Sequence, residues 1–316
     1  MDSKWLGLWM IWVGACGAPA LEDAGVVEAG RDAPRRSDAG PPDSGAFCGR
    51  DAGREVVVEA CNGYAALCDR RFDEVAFATT HNAMASEEDG FAPPNQRFRL
   101  WRQLEDGVRG FMLDVHPGED GTPLLCHGFC RLGQRPLVDG LRDLRVFLEC
   151  HPTDVVAIIF ESYVPEDAIE AAFEESGLLR LVHPQDAAAP WPTLRSMIAA
   201  DERVVVFTDD RDARLPWHLY SYDHAWENPY AATTPETLSC AEDRGVQSRP
   251  LWIFNHFLTD PVGRVDLAEQ INHAPFFSDR IAACRADAGG DLPNFVTVDF
   301  YDVGDLFPII EALNLP

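Results

Sequence analysis

The chain has 316 residues, 46% of them hydrophobic and 25% charged, enough to bury a substantial core, and one catalytic domain plus a tail is the simplest organisation. Its 26 Lys and Arg stand against 52 Asp and Glu, and the formal charge of -26 would repel nucleic acid and anionic lipid surfaces alike, so nucleic-acid binding is disfavoured. Lys4 is the sole lysine, which removes Schiff-base and P-loop lysine chemistry from a mature chain that lacks it.

At the N-terminus, Lys4 precedes the apolar run Trp5 to Val13, which is too short to span a bilayer and reads with its flanks as an export signal over residues 1–15. Val13-Gly14-Ala15-Cys16 then resembles the lipobox of bacterial lipoproteins. That resemblance implies that Cys16 is the lipidated first residue of the mature protein, a membrane anchor, and that Gly17 directs it to the outer membrane, with a periplasmic or surface-facing domain. Residues 16–54 are rich in Asp, Ala, Gly and Pro, with Asp-Ala-Gly recurring at Asp23, Asp38 and Asp51, and are expected to form a disordered tether. Apart from Cys16 there are eight cysteines, at positions 48, 61, 68, 126, 130, 150, 240 and 284. An even set in an exported chain predicts disulfides, with connectivity left open; a zinc site at Cys126, His127 and Cys130 is the rival reading.

From residue 61 to 316 short apolar runs alternate with amphipathic segments. Strands are expected over 74–82, 108–116, 123–129, 154–162, 203–210, 224–228, 251–257 and 294–302. Helices are expected over 99–106, 138–150, 165–176, 193–200 and 279–286. Eight strands alternating with helices predict an α/β fold, a TIM-like (β/α)8 barrel that is distorted or incomplete where residues 215–250 form mostly loop; an open doubly wound sheet is the alternative.

In such a barrel, catalytic groups project from the C-terminal ends of the strands. Those ends carry His81-Asn82, Asp114 and His116, His127, Glu161, Asp209-Asp210, Asn255-His256, Asp299 and Tyr301-Asp302. Imidazoles exchange protons near neutral pH, and Asn, Asp and Glu oxygens suit a hard cation such as Ca2+. Alternation puts Met112 and Asp114 on one face of their strand and Phe111, Leu113 and Val115 on the other. Asp114 and Glu161 each follow an apolar run, where an unpaired acid is costly to bury; each is either functional or held in a structural ion pair with an arginine.

The sequence Thr80-His81-Asn82-Ala83 is followed by Gln103-Leu104, by Gly107-Val108-Arg109-Gly110-Phe111-Met112-Leu113-Asp114, by Leu125-Cys126-His127-Gly128 and by Glu161-Ser162-Tyr163. With Asn255-His256-Phe257 and the closing Pro293 to Tyr301, these motifs resemble the X-domain of phosphatidylinositol-specific phospholipases C, over roughly residues 61–316. The resemblance implies a phosphodiesterase acting on an inositol phospholipid or related phosphodiester. His81 would be the general base, His127 the general acid, and Asp299 the acid that orients His81. It also implies Ca2+ as cofactor, held by Asn82, Asp114 and Glu161. Met112 stands where the calcium-dependent relatives carry a further carboxylate, and the arginine that replaces calcium in other bacterial members is missing at position 114; if no metal is used, Arg131 is the candidate for the role. The lack of lysine points away from a polyphosphorylated head group. Two other readings are a glycerophosphodiester phosphodiesterase, whose family shows His-Arg-Gly where this chain has His81-Asn82-Ala83, and a non-catalytic lipoprotein that binds a head group in the same cleft.

Overall fold

The computed structural model describes residues 57–315; the expected export signal and tether lie outside them. The described chain runs β1 (Phe77–Thr80), α1 (Leu100–Asp106), β2 (Gly110–Pro117), β3 (Pro123–Leu125), β4 (Arg135–Pro136), α2 (Leu137–Cys150), β5 (Val156–Ser162), α3 (Glu166–Ser176), α4 (Leu194–Ala200) and β6 (Val204–Thr208). It continues through β7 (His218–Tyr220), α5 (Ser221–His224), β8 (Ala225–Glu227), β9 (Leu251–Asn255), α6 (Val265–Ile271), α7 (Phe276–Asp287), β10 (Phe295–Val298) and α8 (Leu306–Asn314). The helices stop where local chemistry requires. α1 ends on Gly107 and α3 on Gly177, both left-handed, the conformation that glycine adopts without a Cβ penalty. The Thr193 hydroxyl accepts from the Ser196 amide to cap the start of α4.

Eight strands form one parallel sheet in the order β7-β6-β5-β2-β1-β10-β9-β8. Read around the circle, this is simple sequence order, so the fold is the expected TIM-like barrel in distorted form. The sheet curls, but β7 and β8, its two ends, are not paired with each other. The covalent reason is direct: only the four residues of α5 join them, whereas a parallel pair needs a crossover of about a dozen residues or more.

The expected strand set needs two corrections. The run 123–129 is not a barrel stave: β3 ends at Leu125 and pairs antiparallel with β2, Val115 opposite Leu125, because the turn between them is too short for a parallel return. The stave missing from the sequence reading is β7, a three-residue strand in the stretch expected to be mostly loop. Helices α6 and α8 were also not anticipated. Pro308 in α8 falls in its first turn, where its missing N–H leaves no helical bond unmade.

The pleat divides the core in two. Phe77, Ala157, Ile159, Val205, Phe207, Leu219, Ala225, Leu251, Ile253 and Phe295 fill the inside of the sheet together with Phe72 and Trp191. Their strand neighbours Ala78, Phe111, Leu113, Val156, Ile158, Val204, Trp252, Phe254 and Val296 pack outward beneath the helices. Disulfides join Cys61 to Cys68, Cys126 to Cys130 and Cys240 to Cys284, and Cys150 is also disulfide-bonded. The Cys126–Cys130 bond takes the thiols that the zinc reading required.

At the N-terminal mouth of the barrel, buried Asn294 donates to the carbonyls of Asp73 and Val75 at 3.0 and 3.1 Å and accepts from the Trp252 amide at 2.9 Å. Asn294→Ala strands these backbone groups and is expected to destabilise the domain by about 3 kcal/mol. The measure is a lower urea midpoint at unchanged m-value; an unchanged midpoint would show that water replaces the amide.

Candidate active site

The alternation that fills the barrel also builds its mouth. One step of two residues beyond the last packed inward side chain of a strand, a titratable or amide group takes the inward position. Thr79 is followed by His81, Met112 by Asp114, Ile159 by Glu161, Phe207 by Asp209, Ala225 by Glu227, Ile253 by Asn255 and Thr297 by Asp299. His81, Met112, Asp114, Ile159, Glu161, Asp209, Glu227 and Asn255 line one cleft, with Tyr222, Tyr230, Arg244 and Phe257.

His81 is the most firmly held of these groups. Its backbone N–H donates to the Val298 carbonyl at 3.0 Å, and Gln96 Nε2 donates to the carbonyls of both His81 and Val298. Its ring stacks flat on Phe257, centroids 3.8 Å apart. Nδ1 lies 2.9 Å from Asp299 Oδ1. A buried carboxylate beside Nδ1 fixes the tautomer, so Nδ1 carries the proton and Nε2 is free as a base. Asp299 is itself held by Asn95, whose Nδ2 donates to Oδ1 at 3.1 Å, while its other oxygen is buried against Gly263 without a hydrogen-bond partner among the described residues.

Asn82 faces outward by strand parity, yet its left-handed backbone (φ 44°) turns it back to the cleft. Its Nδ2 lies 3.4 Å from Asn95 Oδ1 and 3.4 Å from His127 Nε2, leaving its carbonyl oxygen unengaged among the described residues. A chain of polar contacts therefore runs from His81 through Asp299, Asn95 and Asn82 to His127. His127 itself is exposed in the loop after β3. Burial by its neighbours and the charge of His81 lower its pKa, while Asp299 and Glu161 pull it the other way. A bound phosphodiester, being anionic, would raise it.

Asp114 is buried, and its carboxyl group has no hydrogen bond or ion pair among the described residues. Burial raises its pKa to about 7, with the charges of Glu161 and Asp209 pushing the same way and His81 opposing. The Glu161 carboxylate accepts from the Tyr163 hydroxyl, and Asp209 Oδ1 accepts from the Ser162 amide at 3.0 Å. A buried acid facing two other carboxylates, with no arginine paired to it among the described residues, has the oxygen donors that suit a hard cation. Among the described residues no three His, Cys, Asp or Glu side chains are grouped closely enough to hold a metal by themselves. Ca2+ would thus draw on Asp114, Glu161 and the Asn82 oxygen, with water and a substrate oxygen completing its shell. Met112 lies in the cleft wall, as the alternation required.

The remaining strand-end residues divide by parity. His256 follows outward Phe254 and is fully buried away from the cleft, with its Nε2 bonded to the Ile271 carbonyl and its Nδ1 accepting from Arg280. Asp302 pairs with Arg97. His116 stacks on Tyr163, centroids 4.2 Å apart. Arg131 is exposed and outside the cleft lining. The arginine that does line it is Arg244, between β8 and β9, paired with buried Glu227 and lying over the rings of Tyr222 and Tyr230. Sequence reading missed this group, along with Asn95. Inward parity beyond Ala225 would have found Glu227, but Arg244 and Asn95 sit in irregular segments with no periodic signal.

A family model, PI-PLC X, matches residues 67–314. A PI-PLC X domain-containing protein of Arthroderma benhamiae is 26% identical over 287 residues, covering 80% of this chain and 89% of its own. One from Arabidopsis thaliana is 26% identical over 305 residues, covering 86% and 71%. An uncharacterized secreted protein of Arthroderma benhamiae is also 26% identical over 287 residues, covering 80% and 64%. Among solved structures, phosphatidylinositol-specific phospholipase C of Staphylococcus aureus superposes with a TM-score of 0.54 over 79% of this chain and 95% of that one, at 14% identity, a likeness of fold. With the whole barrel inside the matched region, the chain belongs to the PI-PLC X family.

Proposed function

We propose that this PI-PLC-like protein is a phosphodiesterase that cleaves an inositol phospholipid between phosphate and diacylglycerol. The observation that supports this most is the pairing of His81 Nδ1 with buried Asp299, which leaves a free Nε2 facing the cleft while a second imidazole, His127, stands at its edge. Nε2 of His81 takes the proton of the inositol 2-hydroxyl. That oxygen attacks the adjacent phosphorus, the bond to the diacylglycerol oxygen breaks, and His127 delivers a proton to the departing oxygen. The products are a cyclic inositol phosphate and diacylglycerol, and exchange of roles lets the pair open the ring with water. Ca2+ held by Asn82, Asp114 and Glu161 would supply positive charge for the phosphorane. On the far wall, Glu227, Arg244 and Tyr230 offer an acceptor, a donor and an aromatic face to a polyol ring.

Export and lipid anchoring at Cys16, with the domain held at an outer membrane, complete the reading. They are supported by the lipobox-like sequence, by the disulfides and by a relative named as secreted. Fatty acid is expected to label Cys16, and Cys16→Ala is expected to move into the soluble fraction; unchanged fractionation refutes the anchor.

Each correctly placed proton transfer is worth roughly 10²–10⁴ in rate. His81→Ala and His127→Ala are therefore each expected to lower phosphatidylinositol turnover by at least about 10²-fold, with little change in melting temperature for His127→Ala and a lower one for His81→Ala, which strands buried Asp299. Near-wild-type rates in either variant refute the mechanism.

The Asp114 shift fixes the sign of a pH effect. An acid whose folded pKa is raised loses stability as pH climbs from its ordinary value of 3.8 to about 7, because only the unfolded form has then released its proton. In chelator, the native state should weaken over that window and level off above it. Ca2+ should raise the melting temperature increasingly up to the same pH, and Asp114→Asn should remove both trends. A melting temperature indifferent to Ca2+ at pH 8 would count against the cation site.

A further inference from the structure

The two imidazoles are held in opposite ways. His81 has a carboxylate, a stacked ring and a strand ladder; the ring of His127 has one hydrogen-bonding contact among the described residues, Asn82 Nδ2 at 3.4 Å, and no stacked aromatic partner there. One long contact is a weak hold on a ring, so its position depends chiefly on its backbone. That backbone is a short loop. Cys126 closes β3 with its side chain fully buried in the core beneath the helices, its amide 3.3 Å from the Asp114 carbonyl. Cys130 packs at the edge of the same core, half-exposed, and the Cys126–Cys130 bond ties the two ends of the loop at a Cα separation of 5.0 Å. Between them His127, Gly128 and Phe129 stand exposed, joined by one short internal bond from the Phe129 amide to the His127 carbonyl. The next fixed point is Leu132, whose carbonyl accepts from the Ala92 amide at 2.7 Å.

We propose that the Cys126–Cys130 disulfide is the positioning element of His127, and that its reduction by a dithiol disables the proton donor while leaving the rest of the site assembled. The inference rests on the acid role given to His127 above. In the exchange, a thiolate of the dithiol attacks the sulfur of Cys130, the less buried of the two residues, and breaks the bond to Cys126. The second thiol of the reagent then closes on the first. Two electrons and two protons pass to the protein, which holds two cysteines, and the reagent leaves as a cyclic disulfide. The loop of residues 126–130 is then closed only by its turn bonds, and His127 samples positions away from Asn82. Misplacement of a reacting group by about 1 Å is enough for a loss on the order of 10²-fold.

The test uses the mature protein, Cys126→Ala/Cys130→Ala in that protein, and the native protein reduced with dithiothreitol and alkylated, the modified cysteines being read by mass. Two substrates are compared: phosphatidylinositol, whose alcohol leaving group needs a proton, and an inositol phosphodiester with a nitrophenol leaving group, which does not. The double variant and the reduced protein are expected to lose about 10²-fold in kcat on the first with KM within about twofold, and less than about fivefold on the second. Reoxidation before alkylation restores the rate. Equal losses on both substrates, or no loss on either, overturn the proposal.

Should the native protein turn over neither substrate, the proposed activity fails and the positional claim is read separately. With 13C-labelled histidine, relaxation of the His127 ring is expected to show greater motion after reduction while His81 is unchanged. A His127 ring equally ordered in both states overturns it, whatever the activity. A double variant that does not fold leaves the reduced native protein as the deciding sample.

Discussion

The two-residue period of the β-strand is the constraint on which the molecule depends. In a curled parallel sheet buried on both sides, that period sends alternate residues to an inner and an outer core, and slipping it by one would put Phe207 and Ile159 among the helices and Phe160 inside the barrel. The same parity decides which polar residue reaches the cleft. His81, Asp114, Glu161, Asp209, Glu227, Asn255 and Asp299 are simply the next inward positions above the last apolar layer. The site is thus a continuation of the core's own arithmetic, and the register that packs the barrel brings its acids together.

Bringing acids together has an electrostatic consequence. Asp114 sits within the field of Glu161 and Asp209, and burial removes the water that would screen them. The protein keeps this arrangement although Met112, in the same wall, shows that an apolar side chain is tolerated there. By contrast, the carboxylates used for scaffolding are neutralised at once: Asp154 by Arg109, Asp143 by Arg135, Asp302 by Arg97. Among the described residues no arginine pairs with Asp114, which separates it from these structural ion pairs.

The sequence made the staves legible where they were long and apolar. Val156 to Phe160 is an unbroken apolar run and Val204 to Phe207 is β-branched and aromatic throughout, and their ends located Glu161 and Asp209 within two residues. His218–Tyr220 has three residues and no alternation to read, so β7 stayed hidden in what looked like loop. The antiparallel placement of β3 depends on the length of a turn, which an apolar run does not record. Within the site, His81, Asn82 and Asp299 were visible because they close strands. Asn95 and Arg244 act from irregular chain, where position is set by tertiary contacts and no period exists. The separation of Asn255, which reaches the cleft, from His256, which does not, was available from parity alone.

The unpaired edge between β7 and β8 has a consequence for how the walls of the cleft are joined. Every other stave shares a hydrogen-bond register with two neighbours, so a residue inserted there would slip a whole ladder and displace a cleft residue with it. No register crosses the seam. The chain from 228 to 250, which follows β8 at that seam and carries Tyr230 and Arg244, is tied to β8, to β9 and through the Cys240–Cys284 bond to α7, so a change within it falls on no register of β1, β2, β5 or β10. The wall it builds is thus set apart in the fold from the wall that carries His81, Asp114 and Glu161.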